Sequence, residues 1–423
     1  MKPDLSRRDV MKASATVAAG AGIIGAANAA SRKVRVGVMG LSRGLGHVRG
    51  LLGVDDVEVA YVCDVDKERV VRGQKQVEKL QEAPAKGVTD FRRMLDDKEL
   101  DAITIAAPNF WHAPATILAC AAGKHVYVEK PGSQNAAEAL LMVKAARKHK
   151  RSVQMGNQRR SYEKVAEAVQ RIKEGVIGKV YSGRCWYTNT RPSIGRGKKS
   201  AVPANLDYEL WEGPVPHAPY KSNLVHYNWH WRWNYGGGEM ANNGVHSLDI
   251  VRWALGVDYP TRATYTGARY HHDDDQETPD TGDAQFDFGH CTAIWSGSSC
   301  HRRAWEGNPF AAVYGDGGSI VFSGGNSYTI YDTKGKELEK QGGPGGDVHH
   351  FRNFIESFRS GTQLNAEIED AQTSTMLCHL ANISYRTGRT VEFDSKAKEI
   401  SNSCKSCDSL WGREYRKGWE PKA

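Results

Sequence analysis

The chain lacks the features that mark several large classes of protein. Beyond its first thirty residues it has no apolar run of membrane-spanning length, no low-complexity tract and no internal repeat. Those absences exclude a bundle of membrane helices, a disordered chain and a solenoid. Arginine-rich runs and nucleic-acid-binding modules are missing too, so the net charge of +8 reads as scattered, solvated side chains, and no nucleic-acid partner is expected. Cysteine is sparse, with eight in 423 residues, and Cys63, Cys120, Cys185 and Cys378 sit inside apolar runs. Buried thiols follow, and a disulfide framework does not. Only Cys404-Lys405-Ser406-Cys407 has redox spacing; with no second pair to complete a zinc site, it reads as a structural thiol pair or a local disulfide.

What is present begins with an export signature. Ser6-Arg7-Arg8-Asp9-Val10-Met11-Lys12 precedes an Ala/Gly-rich stretch and then Ala27-Asn28-Ala29. A basic region, an apolar region and a small-residue site in that order predict a twin-arginine signal over residues 1–29, cut after Ala29. The mature protein is then expected outside the cytoplasm, periplasmic or extracytoplasmic, with no membrane attachment. Cleavage removes four basic and two acidic residues, which leaves the surface modestly basic.

The length favours two domains with separate cores. From Lys33 strand and helix signals alternate: strands at 34–39 and 57–63 around a helix at 44–52, then a strand at 102–107, a helix at 113–122, a strand at 125–128, a helix at 136–149 and a closing segment at 152–155. That rhythm predicts an α/β Rossmann domain with a doubly wound parallel sheet over 30–156. A helix at 162–174 and a strand at 179–187 lead into a polar, aromatic insertion. The β-like runs of 262–332, such as Ala284–Phe288 and Ser319–Phe322, predict an α+β substrate domain over 157–423 with a large mixed or antiparallel sheet.

The segment from Gly37 to Gly46 follows a strand and opens a helix, as a pyrophosphate-binding turn requires. Backbone amides at such a helix start can hold phosphate oxygens without a basic side chain. The fingerprint is imperfect: Ser42 stands at the middle glycine position, and the last glycine falls at Gly44 or Gly46. Gly40, Ser42, Arg43 and Gly44 are the candidate contacts. Asp64 ends the second strand, where a carboxylate accepts from the ribose hydroxyls and repels a 2′-phosphate, so NAD is favoured over NADP.

Glu129-Lys130-Pro131 follows the strand at 125–128, at the carboxyl edge where open α/β sheets bind ligands. Lys130 can bond a substrate hydroxyl and help carry its proton away, with Glu129 neutralising or orienting the ammonium. A second cluster runs from Gly236 to Asp249. If its glycine turn feeds a helix, Asn242, His246, Asp249 and Trp253 share one face, and His246 is the natural general base. Between the clusters lies His226-Tyr227-Asn228-Trp229-His230-Trp231-Arg232-Trp233. Flat rings stack on sugar faces while His, Asn and Arg bond hydroxyls, so Tyr227, Trp229, His230, Trp231 and Arg232, with Asp249, are candidate carbohydrate contacts; a buried aromatic cluster is the alternative. His271-His272-Asp273-Asp274-Asp275 is read as a polar loop, with no metal expected, because adjacent side chains point in different directions.

Taken together these segments resemble the family of glucose-fructose oxidoreductase, inositol dehydrogenase and MocA-like proteins (Gfo/Idh/MocA), over nearly the whole mature chain. The resemblance rests on Asp101-Ala102-Ile103-Thr104-Ile105-Ala106-Ala107-Pro108-Asn109 ahead of Trp111-His112, on Glu129-Lys130-Pro131, on Gln154-Met155-Gly156-Asn157-Gln158 and on the His246/Asp249 segment. It implies that Lys130 and His246 are the catalytic pair, that Lys130-Pro131 is a cis peptide, and that Pro108, Asn109, His112, Glu129, Lys130 and Gln158 lie along the cofactor. It also implies pairing of the second domain's exposed sheet face into a homo-oligomer. The chain departs from the family where Asp often stands four residues before the histidine: Asn242 is there, and an amide can orient substrate but cannot take a proton. Two enzyme functions follow, an NAD(P)-dependent oxidoreductase that acts on a sugar or polyol hydroxyl with a tightly held cofactor, or an NAD-dependent glycosidase that works by transient oxidation at C3 and elimination. A sugar-binding protein without catalysis is a third.

Overall fold

Runs of Val and Ile at Val34–Met39 (β1), Val57–Cys63 (β2) and Ala102–Ile105 (β4) are buried on both faces, the signature of strands inside a parallel sheet. With Lys86–Val88 (β3), His125–Val128 (β5) and Val153–Met155 (β6) they form a six-stranded parallel sheet in the order β3-β2-β1-β4-β5-β6. The computed structural model describes residues 32–423, so the expected export signal at 1–29 lies outside the described residues. Helices Gly44–Leu51 (α1), Lys67–Glu78 (α2), Arg92–Leu95 (α3), Asn109–Ala121 (α4) and Ala136–His149 (α5) connect the strands. The fourth begins at Asn109, four residues before the expected start, with Pro108 at its N-cap. The order reverses between β1 and β4, the crevice where such sheets bind ligands.

After Glu163–Lys173 (α6) the chain enters Val180–Thr188 (β7), and a ten-stranded sheet is built around it. Its further strands are Arg262–Ala268 (β8), Thr281–Asp287 (β9), Thr292–Ser298 (β10), Ala311–Gly315 (β11), Gly318–Phe322 (β12), Ser327–Tyr331 (β13), Glu337–Gly342 (β14), Val391–Asp394 (β15) and Glu399–Ile400 (β16). Only the β7/β10 pairing is parallel, so the sheet is mixed. Tyr208–Glu212 (α7) lies in the aromatic insertion and Val245–Leu255 (α8) packs on β7.

Two late helices tie the halves together. Asp347–Arg359 (α9) brings Phe351, Phe354 and Ile355 into the core beneath β1 and α1. The chain then pairs Glu367 with Gln154 at the edge of β6 and continues as Ile368–Thr387 (α10), which packs against both α5 and β8. The nucleotide half is therefore completed by residues about two hundred positions further along. Lys405–Trp411 (α11) closes on α10, with the Cys404 and Cys407 sulfurs 2.8 Å apart. No helix among the described residues is long and apolar enough to cross a membrane.

Candidate active site

The phosphate turn is built on Gly40, whose φ of +86° and closeness to β4 leave no space for a side chain: an added Cβ would lie 2.5 Å from the Ala106 carbonyl oxygen. Ser42 and Arg43 follow on the wall of a cleft of about 440 Å³. No side chain caps the start of α1 and its first turn holds no acid, so its amides are open to an anion. Gly44 serves from behind. It does not line the cleft, and it lets α1 approach β1, where an added Cβ would meet Val38 at 2.9 Å. Asp64 accepts from Leu41 N (2.8 Å) and Asp66 N (3.0 Å), which ties the turn to the end of β2. Burial raises its carboxyl pKa, against the pull of those two amides. The open helix start, the turn that admits only glycine and the acceptor at Asp64 fit a dinucleotide.

Glu129 is a hub at the next strand end. Its Oε1 accepts from Arg43 Nε (2.9 Å) and His47 Nε2 (3.0 Å), and its Oε2 from Lys130 N (3.2 Å). Burial would raise its pKa, but the His47 hydrogen bond and the Arg43 and Lys130 cations outweigh it and hold the carboxyl well below the usual range. Gln158 donates to the Gly156 carbonyl (2.6 Å) and accepts from Arg43 Nη2 (2.9 Å). Pro108 and Asn109 line the cleft, as does His112, whose ring bridges the Pro131 and Ala107 carbonyls at 2.6 and 2.8 Å. The Lys130-Pro131 peptide is cis.

Lys130 reaches across to the second cluster. Its Nζ donates to the Asn242 carbonyl (2.6 Å) and to Asn242 Oδ1 (3.0 Å). Burial lowers its pKa, partly offset by Glu129 and Glu239. His246 lines the same cleft and makes no side-chain hydrogen bond among the described residues. Burial, then the Lys130 and Arg159 cations, push its pKa well down, so the ring is neutral near pH 7 and able to accept a proton.

The expected single helical face divides in two. Met240–Gly244 forms a π-turn ahead of α8, and the wider turn shifts the register between Asn242 and Asp249. Asn242 and His246 face the cleft. Asp249 does not: it is buried against Arg160, accepting from Nε (2.9 Å) and Nη2 (2.8 Å), and takes a third bond from Ser374 Oγ (2.7 Å). Arg160 also lies over the Trp253 ring. Asp249 is thus a structural anion in a buried ion pair and not a substrate contact.

The aromatic segment divides likewise. Tyr227, Trp229 and His230 line the cleft, with His230 stacked on Trp229 at 3.6 Å and its Nδ1 2.6 Å from the Tyr227 carbonyl. Trp231 and Arg232 point away from it. Trp231 is buried under the Arg191 guanidinium, and Arg232 is pinned to Asp275 (3.0 Å) and Asn223 (3.2 Å). The tight turn at 228–231 puts Trp229 and His230 together on the cleft and Trp231 behind it.

Several cleft residues carried no motif. Arg159 lies beside Lys130, over Phe310 and bonded to the Gly324 carbonyl (2.7 Å). It adjoins Arg160, and nothing in that doublet tells which arginine faces the cleft. Asp347 accepts from Arg43 Nη2 (2.7 Å), and Arg69 and Trp211 line the wall beside Trp111 of the Trp111-His112 pair.

Residues 20–157 match the family model described as "Oxidoreductase family, NAD-binding Rossmann fold", and residues 193–421 match "Oxidoreductase family, C-terminal alpha/beta domain". The chain is 27% identical over 238 residues to the inositol 2-dehydrogenase of Salmonella typhimurium, covering 55% of this chain and 57% of that one. It is 28% identical over 175 residues to an alpha-N-acetylgalactosaminidase of Shewanella oneidensis, covering 40% of this chain and 38% of that one. The matches thus span little more than half the length of these curated relatives, or less. The solved aldose-aldose oxidoreductase from Caulobacter crescentus, complexed with glycerol, superposes with a TM-score of 0.67 at 19% identity over 86% of this chain and 100% of that one, a likeness of fold.

Proposed function

Because the chain belongs to the Gfo/Idh/MocA oxidoreductase family, we propose that it is an NAD-dependent enzyme acting on a sugar or polyol hydroxyl with a tightly held cofactor. One observation carries this reading: Lys130 and the unpaired, neutral His246 meet in one cleft with the phosphate turn on one side and Tyr227, Trp229 and His230 on the other. The turn at Gly40–Arg43 and the start of α1 would hold a pyrophosphate, and Asp64 the ribose hydroxyls. Bound there, a nicotinamide would supply two-electron exchange with a carbon that carries a hydroxyl. Lys130, held by Asn242, bonds that hydroxyl, and His246 accepts its proton. The aromatic wall receives the apolar face of the sugar ring.

The export signal read at residues 1–29 adds a consequence to the proposal. Outside the cytoplasm no free nicotinamide pool is expected, so the cofactor travels in the folded protein and the chemistry restores it. Denaturing the purified protein and identifying the released nucleotide by mass spectrometry tests this; a protein released without NAD(H) or NADP(H) overturns the carried-cofactor reading. Screening sugars and glycosides for a change in the bound cofactor's absorbance then narrows the substrate.

The glycosidase relative and the amide at Asn242 favour a second reading, redox-neutral glycoside cleavage. A glycoside oxidised transiently at C3 would lose its aglycone from C1 by elimination once the C2 hydrogen is removed; water would add, and return of the hydride to C3 would leave no net change of oxidation state. His230 lines the cleft with its Nδ1–H donating to the Tyr227 carbonyl, which leaves the Nε2 lone pair as an acceptor for that proton, although burial lowers its pKa and weakens it as a base. Solvent deuterium at C2 of released sugar supports this reading. Glycoside recovered intact, with only a ketone or alcohol formed, excludes it.

A further inference from the structure

Away from the cleft, the loop after β8 and the end of β10 bring three metal-ligating side chains together. Neighbouring side chains in His271–Asp275 were expected to diverge, and the aspartates do. Asp274 turns to Ser193 Oγ (2.8 Å) and Arg269 (2.7 Å), and Asp275 to Arg232 (3.0 Å). The two imidazoles instead converge, with ring centroids 4.3 Å and Nδ1 atoms 3.4 Å apart. Cys300 joins them, so that one nitrogen from each ring and the sulfur all lie within 4.8 Å of one another.

The surroundings select a ligand role. His272 Nε2 stands 3.1 Å from the Arg191 carbonyl, which can only accept. The neutral ring therefore carries its proton on Nε2 and presents the Nδ1 lone pair towards His271. Metal-bound imidazoles characteristically donate their other N–H to a carbonyl or carboxylate in this way. Two nitrogens about 2.0–2.1 Å from one tetrahedral zinc stand about 3.3 Å apart, close to the spacing found. The backbone N–H of His271 is anchored on Asp280 Oδ2 (3.0 Å), which sets the turn that aims its ring. The buried carboxylates of Asp274 and Asp280 both pair with Arg269 beneath the loop and fix its backbone.

We propose that His271, His272 and Cys300 bind a divalent cation of the zinc class, outside the candidate active site, with three protein ligands and a fourth position open to solvent. Imidazole and thiolate together select zinc over magnesium or calcium, and binding releases the Cys300 thiol proton to solvent. Through the Arg191 carbonyl the bound ion fixes the loop beside the side chain that donates to Tyr227 Oη (3.0 Å).

The test uses tag-free, full-length mature protein, stripped with chelator and titrated with Co²⁺ as a spectroscopic probe for zinc. The expected result is one equivalent bound per chain, tetrahedral visible bands, a near-ultraviolet thiolate-to-cobalt charge-transfer band, and displacement by Zn²⁺. Cys300→Ser is expected to abolish the charge-transfer band and His271→Gln to weaken binding at least about tenfold. Both variants are expected to keep the circular dichroism of the stripped protein. No stoichiometric binding, or binding with the same spectrum and affinity in Cys300→Ser, overturns the proposal: 3.4 Å is then an imidazole–imidazole hydrogen bond.

Discussion

Lys130 Nζ is held by a single residue from the other half of the molecule, donating both to the backbone carbonyl of Asn242 (2.6 Å) and to its side-chain oxygen (3.0 Å). Both acceptors are neutral, so they fix the lysine in place without the charge that would restore its ordinary pKa, which burial lowers. An aspartate in the same position would stabilise the ammonium. Asn242→Asp is therefore expected to raise the Lys130 pKa and, because the ammonium form bonds the hydroxyl, to move the alkaline limb of the pH–activity profile upward by about one to three pH units. An unmoved limb would show that Lys130 does not titrate in turnover.

Removing the amine itself is the stricter trial of the catalytic assignment. Lys130→Ala is expected to cut turnover by at least about 100-fold, while circular dichroism and retained nucleotide stay as in the wild type. Unchanged output from the variant would point to a sugar-binding protein without catalysis.

Asp64 faces the cleft near Arg69, whose buried Nε has no hydrogen-bond partner among the described residues. Asp64→Asn keeps an acceptor for Leu41 N and removes the charge that repels a 2′-phosphate. The ratio of NADP to NAD affinity is expected to rise about tenfold, or about 1.4 kcal/mol, read by calorimetry on stripped protein. An equal loss for both nucleotides would mean that Asp64 only braces the turn.

For Asp249 the expected effect is on stability. Asp249→Asn leaves Arg160 buried with weakened pairing and should cost about 3–5 kcal/mol, measured by denaturant unfolding, with KM unchanged in whatever protein folds. A raised KM at full stability would return Asp249 to the substrate site.

Acid should loosen the fold through buried neutral histidines. Burial holds His350 at about 4 and His379 at about 3, below the ordinary 6.5. Between those values and 6.5 the unfolded chain binds protons that the folded chain refuses, so stability falls as pH falls, by about 1.4 kcal/mol per histidine for each pH unit below 6.5. Chevron or equilibrium unfolding at pH 7 and pH 5 reads this directly, and His379→Gln should flatten the dependence. A pH-independent midpoint over that range would contradict the assignment.

The chain's own order determined the strands and helices read at 34–63 and 102–155, but not the intervening Lys67–Glu78, Lys86–Val88 and Arg92–Leu95; it also determined the turn at Gly40, the acid at the end of β2 and the placing of Glu129-Lys130-Pro131 at a strand end. Each depends on local backbone geometry and on a period of two or 3.6 residues, which neighbouring residues encode directly. Tertiary structure decided partners: Asn242 for Lys130, Asp347 for Arg43, Arg160 and not a substrate for Asp249, and Cys300 beside two histidines. It also decided which of Tyr227 to Arg232 face the cleft, because a single four-residue 3-10 turn is too short for a sequence pattern to show its period. A side chain's partner depends on which distant segments the fold brings within about 3 Å, the reach of a hydrogen bond, and residues near it in the chain carry no record of that choice.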